Sequence, residues 1–387
     1  MSGTYLVAEN RLTLLKNGAE YFPQLCAAID AAQHSIYLET YIYAADATGR
    51  MIADALGRAA ARGVNVRLVL DGFGSAELPQ RWVDEMRTEG IEVQWFRRKI
   101  SPLTLRRSRL RRLHRKLVVM DGETAFVGGI NIVDDIPPHS DIRVPRLDYA
   151  VRIQGPVAGE IHVAMRHLWG MVSRANFHRH GRHIHWRLRK AYKHSSAASD
   201  VELVLRDNVH HRRDIERAYL RAIAEAQHEI IIANAYFLPG RAFRRALKQA
   251  RQRGVRVLLL LQGKVEYRLQ HYATHALYEQ LLTAGVEIYE YEPSYLHAKV
   301  AVVDGKWATV GSSNIDPFSL FLAREANLVV RDAGFAGEVR ESLMNALASE
   351  MRCIESARDN FFVHWLARLS YGLVRLLAGI VGMSRRQ

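Results

Sequence analysis

The sequence predicts an α/β fold built twice: two lobes related by a pseudo-two-fold, each a sandwich of helices around a mostly parallel sheet, with a site where the lobes meet. Three observations carry this. The stretch LHRKLVVMDGETAFVGGIN from Leu113 recurs as LHAKVAVVDGKWATVGSSN from Leu296. Upstream, AAQHSIYLETYIY from Ala31 is answered by EAQHEIIIANAYF from Glu225. Each then leads through a basic, Ala-rich helical pattern into a Gly-Val strand, ARGVNVRLVLDG from Ala61 and QRGVRVLLLLQG from Gln252. Apolar strands alternating with amphipathic helices imply a parallel sheet covered on both faces.

The elements follow in the same order in both halves. GIEVQWF from Gly90 and GVEIYEY from Gly285 read as matching strands just before each repeated motif. Residues 1–173 are expected to form the first lobe and 201–358 the second. The Arg- and His-rich stretch from Arg174 to Asp200 joins them. A solvated basic linker and a specific binding segment are equally compatible with its composition.

A chain of 387 residues can bury a large core. Its 54 Lys and Arg against 40 Asp and Glu give a net charge of +14, which predicts attraction to polyanions: nucleic acid, anionic lipid or phosphorylated substrates. Cys26 and Cys353 have no partner motif, so neither a disulfide framework nor a zinc site is expected, and a reducing compartment is the default. The N-terminus shows no signal-peptide pattern, and no run of about 18 apolar residues suggests a spanning helix.

The chemistry sits in the repeated H-x-K-x4-D pattern: His114, Lys116 and Asp121, then His297, Lys299 and Asp304. In a strand, residues i and i+2 share a side, so each His and its Lys should point together. Imidazole beside ammonium suits a phosphate ester: the Lys neutralises non-bridging oxygens while the His attacks phosphorus or moves a proton. An isolated H-x-K is more often surface decoration than a site; two matched copies reverse that balance. Metal binding fits poorly, because ammonium repels a cation and no His/Asp/Glu cluster surrounds either copy, so no cofactor is expected. Asp121 and Asp304 open Asp-Gly turns and are expected to hold their loops through side-chain-to-backbone hydrogen bonds. Asn131 and Asn314, each seventeen residues after its motif His, are candidate phosphate donors, helped by the Gly-rich turns GGIN and GSSN.

This pattern resembles the phospholipase D superfamily and, within it, bacterial cardiolipin synthases of the B type. The resemblance covers nearly the whole chain: LETYIY at Leu38, LDGFGS at Leu70, HRKLVVMDG at His114, DYAVRIQGP at Asp148, ANAYFLPG at Ala233 and KWATVGSSNIDP at Lys306. It implies phospholipase D-like α/β/α lobes and a metal-free two-step exchange. One motif His would form a phosphatidyl-histidine; the other would protonate the leaving alcohol and deprotonate the hydroxyl of phosphatidylglycerol. His114 is taken as nucleophile and His297 as acid and base, although near-identical motifs do not decide between them. The resemblance also implies a carboxylate orienting each His: Glu325 for the second motif and Asp148 for the first, where Asp148 could instead pair only with Arg146 or Arg152.

From Arg97 to Lys116 there are ten Lys or Arg and no acid, interleaved with Leu103, Leu105, Leu110 and Leu113. Nucleic-acid binding is one reading; docking on an anionic leaflet, at about 1 kcal/mol per basic residue, is favoured. In the tail, residues 359–387, Phe361, Phe362 and Trp365 fill an apolar face while His364, Arg368 and Arg375 form a polar stripe. That fits a helix lying in the headgroup region, although packing on the protein's own core competes and Gly372, Gly379 and Gly382 weaken the helix. The expectation is a peripheral enzyme on the cytoplasmic face of the cell membrane, acting on phosphatidylglycerol. A phosphodiesterase or nuclease using water, and a lipid-binding protein without catalysis, are the alternatives.

Overall fold

A computed structural model describes residues 3–97, 111–136, 142–176, 200–207, 211–265, 268–316, 323–355 and Gly372. The first lobe runs β1 (Thr4–Val7), β2 (Asn10–Lys16), α1 (Asn17–Ala31), β3 (Ser35–Thr40), α2 (Ala47–Ala61), β4 (Asn65–Asp71), α3 (Gln80–Thr88) and β5 (Glu92–Phe96). It continues with β6 (Arg112–Leu113), β7 (Lys116–Met120), β8 (Thr124–Gly128), β9 (Tyr149–Gln154) and α4 (Pro156–Asn176). The second lobe has β10 (Val201–Arg206), α5 (Asp214–Glu225), β11 (Glu229–Asn234), α6 (Arg241–Gln252), β12 (Arg256–Gln262), α7 (Arg268–His275), α8 (Tyr278–Thr283) and β13 (Glu287–Tyr291). It closes with β14 (Lys299–Val303), β15 (Trp307–Gly311), β16 (Ala323–Val330), α9 (Ala333–Glu350) and β17 (Met351–Cys353). Helix α4 runs past residue 173, the expected lobe boundary. Most of the basic linker, part of the Arg97–Lys116 run including Leu103, Leu105 and Leu110, and the tail residues Phe361, Phe362, Trp365, Arg368 and Arg375 lie outside the described residues.

The repeat is visible strand by strand. The first sheet has the order β1-β2-β9-β8-β7-β3-β4-β5, and the second β10-β16-β15-β14-β11-β12-β13-β17. The sheets are mixed, which corrects the expectation of mostly parallel ones. Among the described strands of each lobe, only β3-β4-β5 and β11-β12-β13 pair in parallel. Their crossovers carry helices, whereas β7-β8 and β14-β15 are joined by Asp-Gly turns. Asp121 and Gly122 take φ of 55° and 75°, and Asp304 and Gly305 take 52° and 61°. Two consecutive positive φ values make the tight hairpin whose twist suits antiparallel strands.

Asp121 and Asp304 do more than open those turns. The Asp121 carboxylate accepts from the backbone N–H groups of Gln33, His34 and Ser35, at 2.7–2.9 Å. Asp304 accepts from Gln227, His228 and Glu229, each at 2.8 Å. The loop each holds is therefore the helix-to-strand turn beside it rather than its own. Both sit at the end of the strand opposite the motif lysine, about 17 Å away for five residues at 3.3 Å each. Their carboxylates are engaged by those N–H groups, away from the motif His and Lys.

The two sheets face each other through one shared core. Leu12, Val127 and Val151 of the first lobe cluster with Leu203, Val310 and Leu328 of the second, and with Ile161 of α4 and Phe335 of α9. The outer face of each sheet has its own cluster, under α1, α2 and α3 in the first lobe and under α5 and α6 in the second. The lobes are thus two sequence repeats that bury one interface between them.

One buried ion pair breaks the repeat. Arg115 pairs with Glu39, its Nη2 donating to Oε1 at 2.9 Å and its Nε to the other oxygen. Burial pushes the Glu39 carboxyl up, and the Arg115 guanidinium offsets this. The matching positions of the second lobe are Ala298 and Ala233, both fully buried. Glu39→Ala or Arg115→Ala should each cost about 3–5 kcal/mol, because each strands a buried charge. The double variant, which copies the second lobe, should cost no more than the worse single one in urea unfolding. Additive costs would show that the two side chains stabilise independently.

Candidate active site

The site lies where each motif strand meets the other lobe. Residues Arg112 and Leu113 of β6 pair in parallel with Ala323 and Arg324 of β16, and Leu147 bridges Leu296 in the same sense. The His114 N–H donates to the Arg324 carbonyl at 3.0 Å, and the His297 N–H to the Leu147 carbonyl at 2.9 Å. Each histidine is laid beside the strand that bears the other lobe's carboxylate.

The carboxylates consequently cross over. His114 Nδ1 lies 3.0 Å from both oxygens of Glu325, and His297 Nδ1 lies 2.6 Å from Asp148 Oδ2. This reverses the expected pairing, which put each carboxylate with the motif of its own lobe. A carboxylate on Nδ1 holds the proton there and leaves Nε2 for chemistry. Glu325 is fully buried and also accepts from the Ser312 hydroxyl at 2.6 Å. At the matching first-lobe position stands Gly129, where a Cβ would come within 2.2 Å of Asp148 Oδ1. The shorter carboxylate needs that glycine to approach; the longer one takes a serine as a further donor.

Both lysines are buried, Lys116 4% and Lys299 1% exposed. Lys116 Nζ donates to the His114 carbonyl at 2.6 Å, and Lys299 to the His297 carbonyl. Each ammonium is thereby fixed beside its own histidine, as the two-residue spacing predicts. Burial pushes Lys116 down to about 7, against the pull of Glu325. Asn131 and Asn314 are buried in the turns after β8 and β15. Asn131 Oδ1 accepts from the Ile42 N–H at 3.1 Å, leaving its amide as the donor.

The two histidines differ in their electrostatics. Burial lowers His114, as do Lys116 and Lys299, and the Glu325 carboxylate opposes this. Burial also lowers His297, and here Lys299, Lys116, Arg146 and His114 all push the same way, holding it well below its usual value. Burial pushes Asp148 up to about 6. In the free protein, activity at low substrate should therefore fall as pH drops through about 6, where Asp148 takes up a proton and loosens its hold on His297. It should fall again as pH rises through about 7, where Lys116 loses its charge. A kcat/KM profile checks this, and Asp148→Asn should lack the acid limb; an unchanged limb would assign it elsewhere.

Several supports were not singled out from the sequence. Asp71 Oδ2 accepts from the Leu113 N–H at 2.7 Å, and Gln262 Oε1 from the Leu296 N–H at 2.6 Å, pinning the residue before each histidine. Both close the repeated strands as Asp-Gly and Gln-Gly, the signal that marks them. Ser312 is visible only by comparing GGIN with GSSN. The Tyr41 ring stands edge-on to His114 at 4.8 Å. Among the described residues, no group of three or more His, Cys, Asp or Glu could hold a metal ion.

Comparison with known proteins gives the family. The family described as cardiolipin synthase, PLD-like domain, matches residues 25–135 and 219–347, once in each lobe. The chain belongs to that family. It is 39% identical to cardiolipin synthase B of Escherichia coli (strain K12) over 350 residues, 89% of this chain and 82% of that one. It is 31% identical to cardiolipin synthase A of Pseudomonas aeruginosa (strain LESB58) over 382 residues, 98% and 75% of the two chains. The crystal structure of phosphatidylserine synthase from Haemophilus influenzae Rd KW20 superposes with a TM-score of 0.70 at 15% identity, covering 96% of this chain and 95% of that one. That likeness supports the two-lobed fold. Asp148 lies beyond the end of the first family match, so its place in the site rests on the structure.

Proposed function

We propose that this member of the family is itself a cardiolipin synthase, which transfers a phosphatidyl group from a phospholipid donor, phosphatidylglycerol first among them, to phosphatidylglycerol. The observation that carries the reading is the pair of crossed His–carboxylate contacts, which bring both motifs to one cleft with a buried lysine beside each histidine.

His114 Nε2 attacks phosphorus, a P–N bond forms, and the P–O bond to the donor's headgroup alcohol breaks. His297 gives its proton to the departing oxygen. The acceptor's hydroxyl then returns a proton to His297 as its oxygen attacks the phosphatidyl-histidine and releases His114. The exchange is balanced: one phosphoester is broken, one is made, and no water enters. Lys116 and Lys299, helped by the Asn131 and Asn314 amides, neutralise the non-bridging oxygens.

The division of roles has a physical basis. Beyond burial, what depresses His297 is the charge of Lys299, Lys116, Arg146 and His114. An anionic phosphate entering between the lysines offsets part of it, so His297 gains its proton when substrate binds. The same lysines lower His114, but there the Glu325 carboxylate opposes them, so His114 is the less depressed of the two.

The reading also places the protein on the cytoplasmic face of the cell membrane as a peripheral protein, with anionic lipid rather than nucleic acid as its polyanion. Among the described residues no helix is long and apolar enough to cross a membrane. Purified protein given phosphatidylglycerol vesicles should form cardiolipin and release glycerol. Phosphatidic acid as the sole product would show water to be the acceptor, and no turnover would show binding without catalysis.

A further inference from the structure

Just outside the paired motifs, the two sides of the cleft hold their additional cations differently. Arg146 lies two residues before Asp148, in the segment that runs beside the second motif. Its backbone N–H donates to the Asp135 carbonyl at 3.2 Å, and Leu147 next to it bridges Leu296. These contacts fix the chain on both sides of the arginine. Its guanidinium lies over the Tyr295 ring, 5.9 Å from the centroid. Its charge is felt at His297 and at Asp148. Its Nε is shut off from solvent with no hydrogen-bond partner, and among the described residues its guanidinium makes no ion pair.

A guanidinium held on an aromatic ring, with fixed backbone and unspent donors, is arranged for a planar bidentate contact with an oxyanion. The two reaction lysines already accompany the histidines, so this cation is additional to them. The pseudo-two-fold equivalent, two residues before Glu325, is Ala323. On that side Arg112 stacks 5.0 Å over the Phe73 ring but donates to the Arg111 carbonyl at 3.1 Å, and Arg206 is fully buried and donates to the Arg212 and Ala323 carbonyls. A chemistry with a single anion at its centre would not call for an extra cation that keeps its donors on one side. Joining two phospholipids does, because the acceptor brings a second phosphodiester that does not react.

We propose that Arg146 binds the non-reacting phosphodiester of the acceptor lipid, beside His297, and so selects an anionic phospholipid over water or a neutral alcohol as acceptor. This rests on the reading of the protein as a phosphatidyltransferase that joins two phospholipids. The position suits the second half-reaction, in which His297 takes the proton from the acceptor hydroxyl: the phosphodiester on Arg146 would hold that hydroxyl near Nε2.

The test is a competition. Wild-type full-length protein is given phosphatidylglycerol vesicles containing ethanol, and cardiolipin and phosphatidylethanol are measured together. Arg146→Gln should lower the ratio of cardiolipin to phosphatidylethanol at least tenfold, and Arg146→Lys should recover part of it. The donor's apparent KM, read in the ethanol reaction, should stay within about twofold of wild type, in line with an arginine that does not grip the donor. A thermal melt of each variant checks that the fold persists. A ratio equal to that of the wild type would overturn the assignment, as would a donor KM raised as much as the ratio falls. Wild-type protein that forms phosphatidylethanol but no cardiolipin would overturn the reading of the function, and the acceptor site with it.

Discussion

Replacing either His114 or His297 with alanine is expected to lower phosphatidyl transfer by at least about 10⁴-fold, and each replacement should be as damaging as the other. In the proposed exchange both histidines take part in both half-reactions at one phosphate, so neither lobe would retain a working half-site. The two variants should differ in what accumulates. With a donor whose turnover is slow, His297→Ala can still form a covalent lipid adduct when the leaving group departs without a proton, whereas His114→Ala cannot. Mass mapping of the adduct should place it on His114. Label on His297 would exchange the two roles while leaving the shared site intact, and substantial activity in either alanine variant would remove the shared site itself.

The second large effect follows from the crossing of the carboxylates. Glu325→Gln should lower kcat by about 10²–10⁴-fold, because the amide can stabilise the wrong imidazole tautomer and cannot balance a positive ring. The informative part is which histidine fails. Glu325 contacts His114, so Glu325→Gln should suppress formation of the covalent adduct despite lying in the same lobe as His297. Asp148→Asn should spare adduct formation from a good leaving group and instead slow the proton transfers at His297. Pre-steady-state adduct formation in the two variants decides this. If Asp148→Asn were the one to block the adduct, the roles of the two histidines would be reversed.

Much of this site was readable in the chain. Motif spacing placed each Lys beside its His, since residues two apart on an extended strand share a side, and each lysine donates to its own histidine's carbonyl. The Asp-Gly turns were likewise legible, as was the second copy of every strand around them. The parallel character of the sheets was overestimated because βαβ periodicity dominates the sequence, while a hairpin that reverses a strand occupies only three residues. Asp121 and Asp304 belong to the signature by spacing alone; their partners, the N–H groups of residues 33–35 and 227–229, lie about 75–90 positions away in the chain.

The carboxylate pairing shows where sequence reasoning stops. Glu325 follows His297 by 28 residues and Asp148 follows His114 by 34, so proximity along the chain suggests that each serves its own motif. The fold does the opposite, because β6 lies along β16 and Leu147 along Leu296 across the interface. Arg146 was visible from the start only as a salt-bridge candidate for Asp148.

By itself, then, the sequence determined the repeated lobes, the two His-Lys pairs, the turns behind them and the family. These follow from local rules: strand periodicity, turn chemistry and a motif carried twice in one chain. Only the tertiary structure decided which carboxylate orients which histidine, that the lobes share one core, and that Arg146 stands by His297. Each of those depends on how two separately encoded sheets dock, and docking is set by the match of whole buried surfaces, which no short stretch of chain contains.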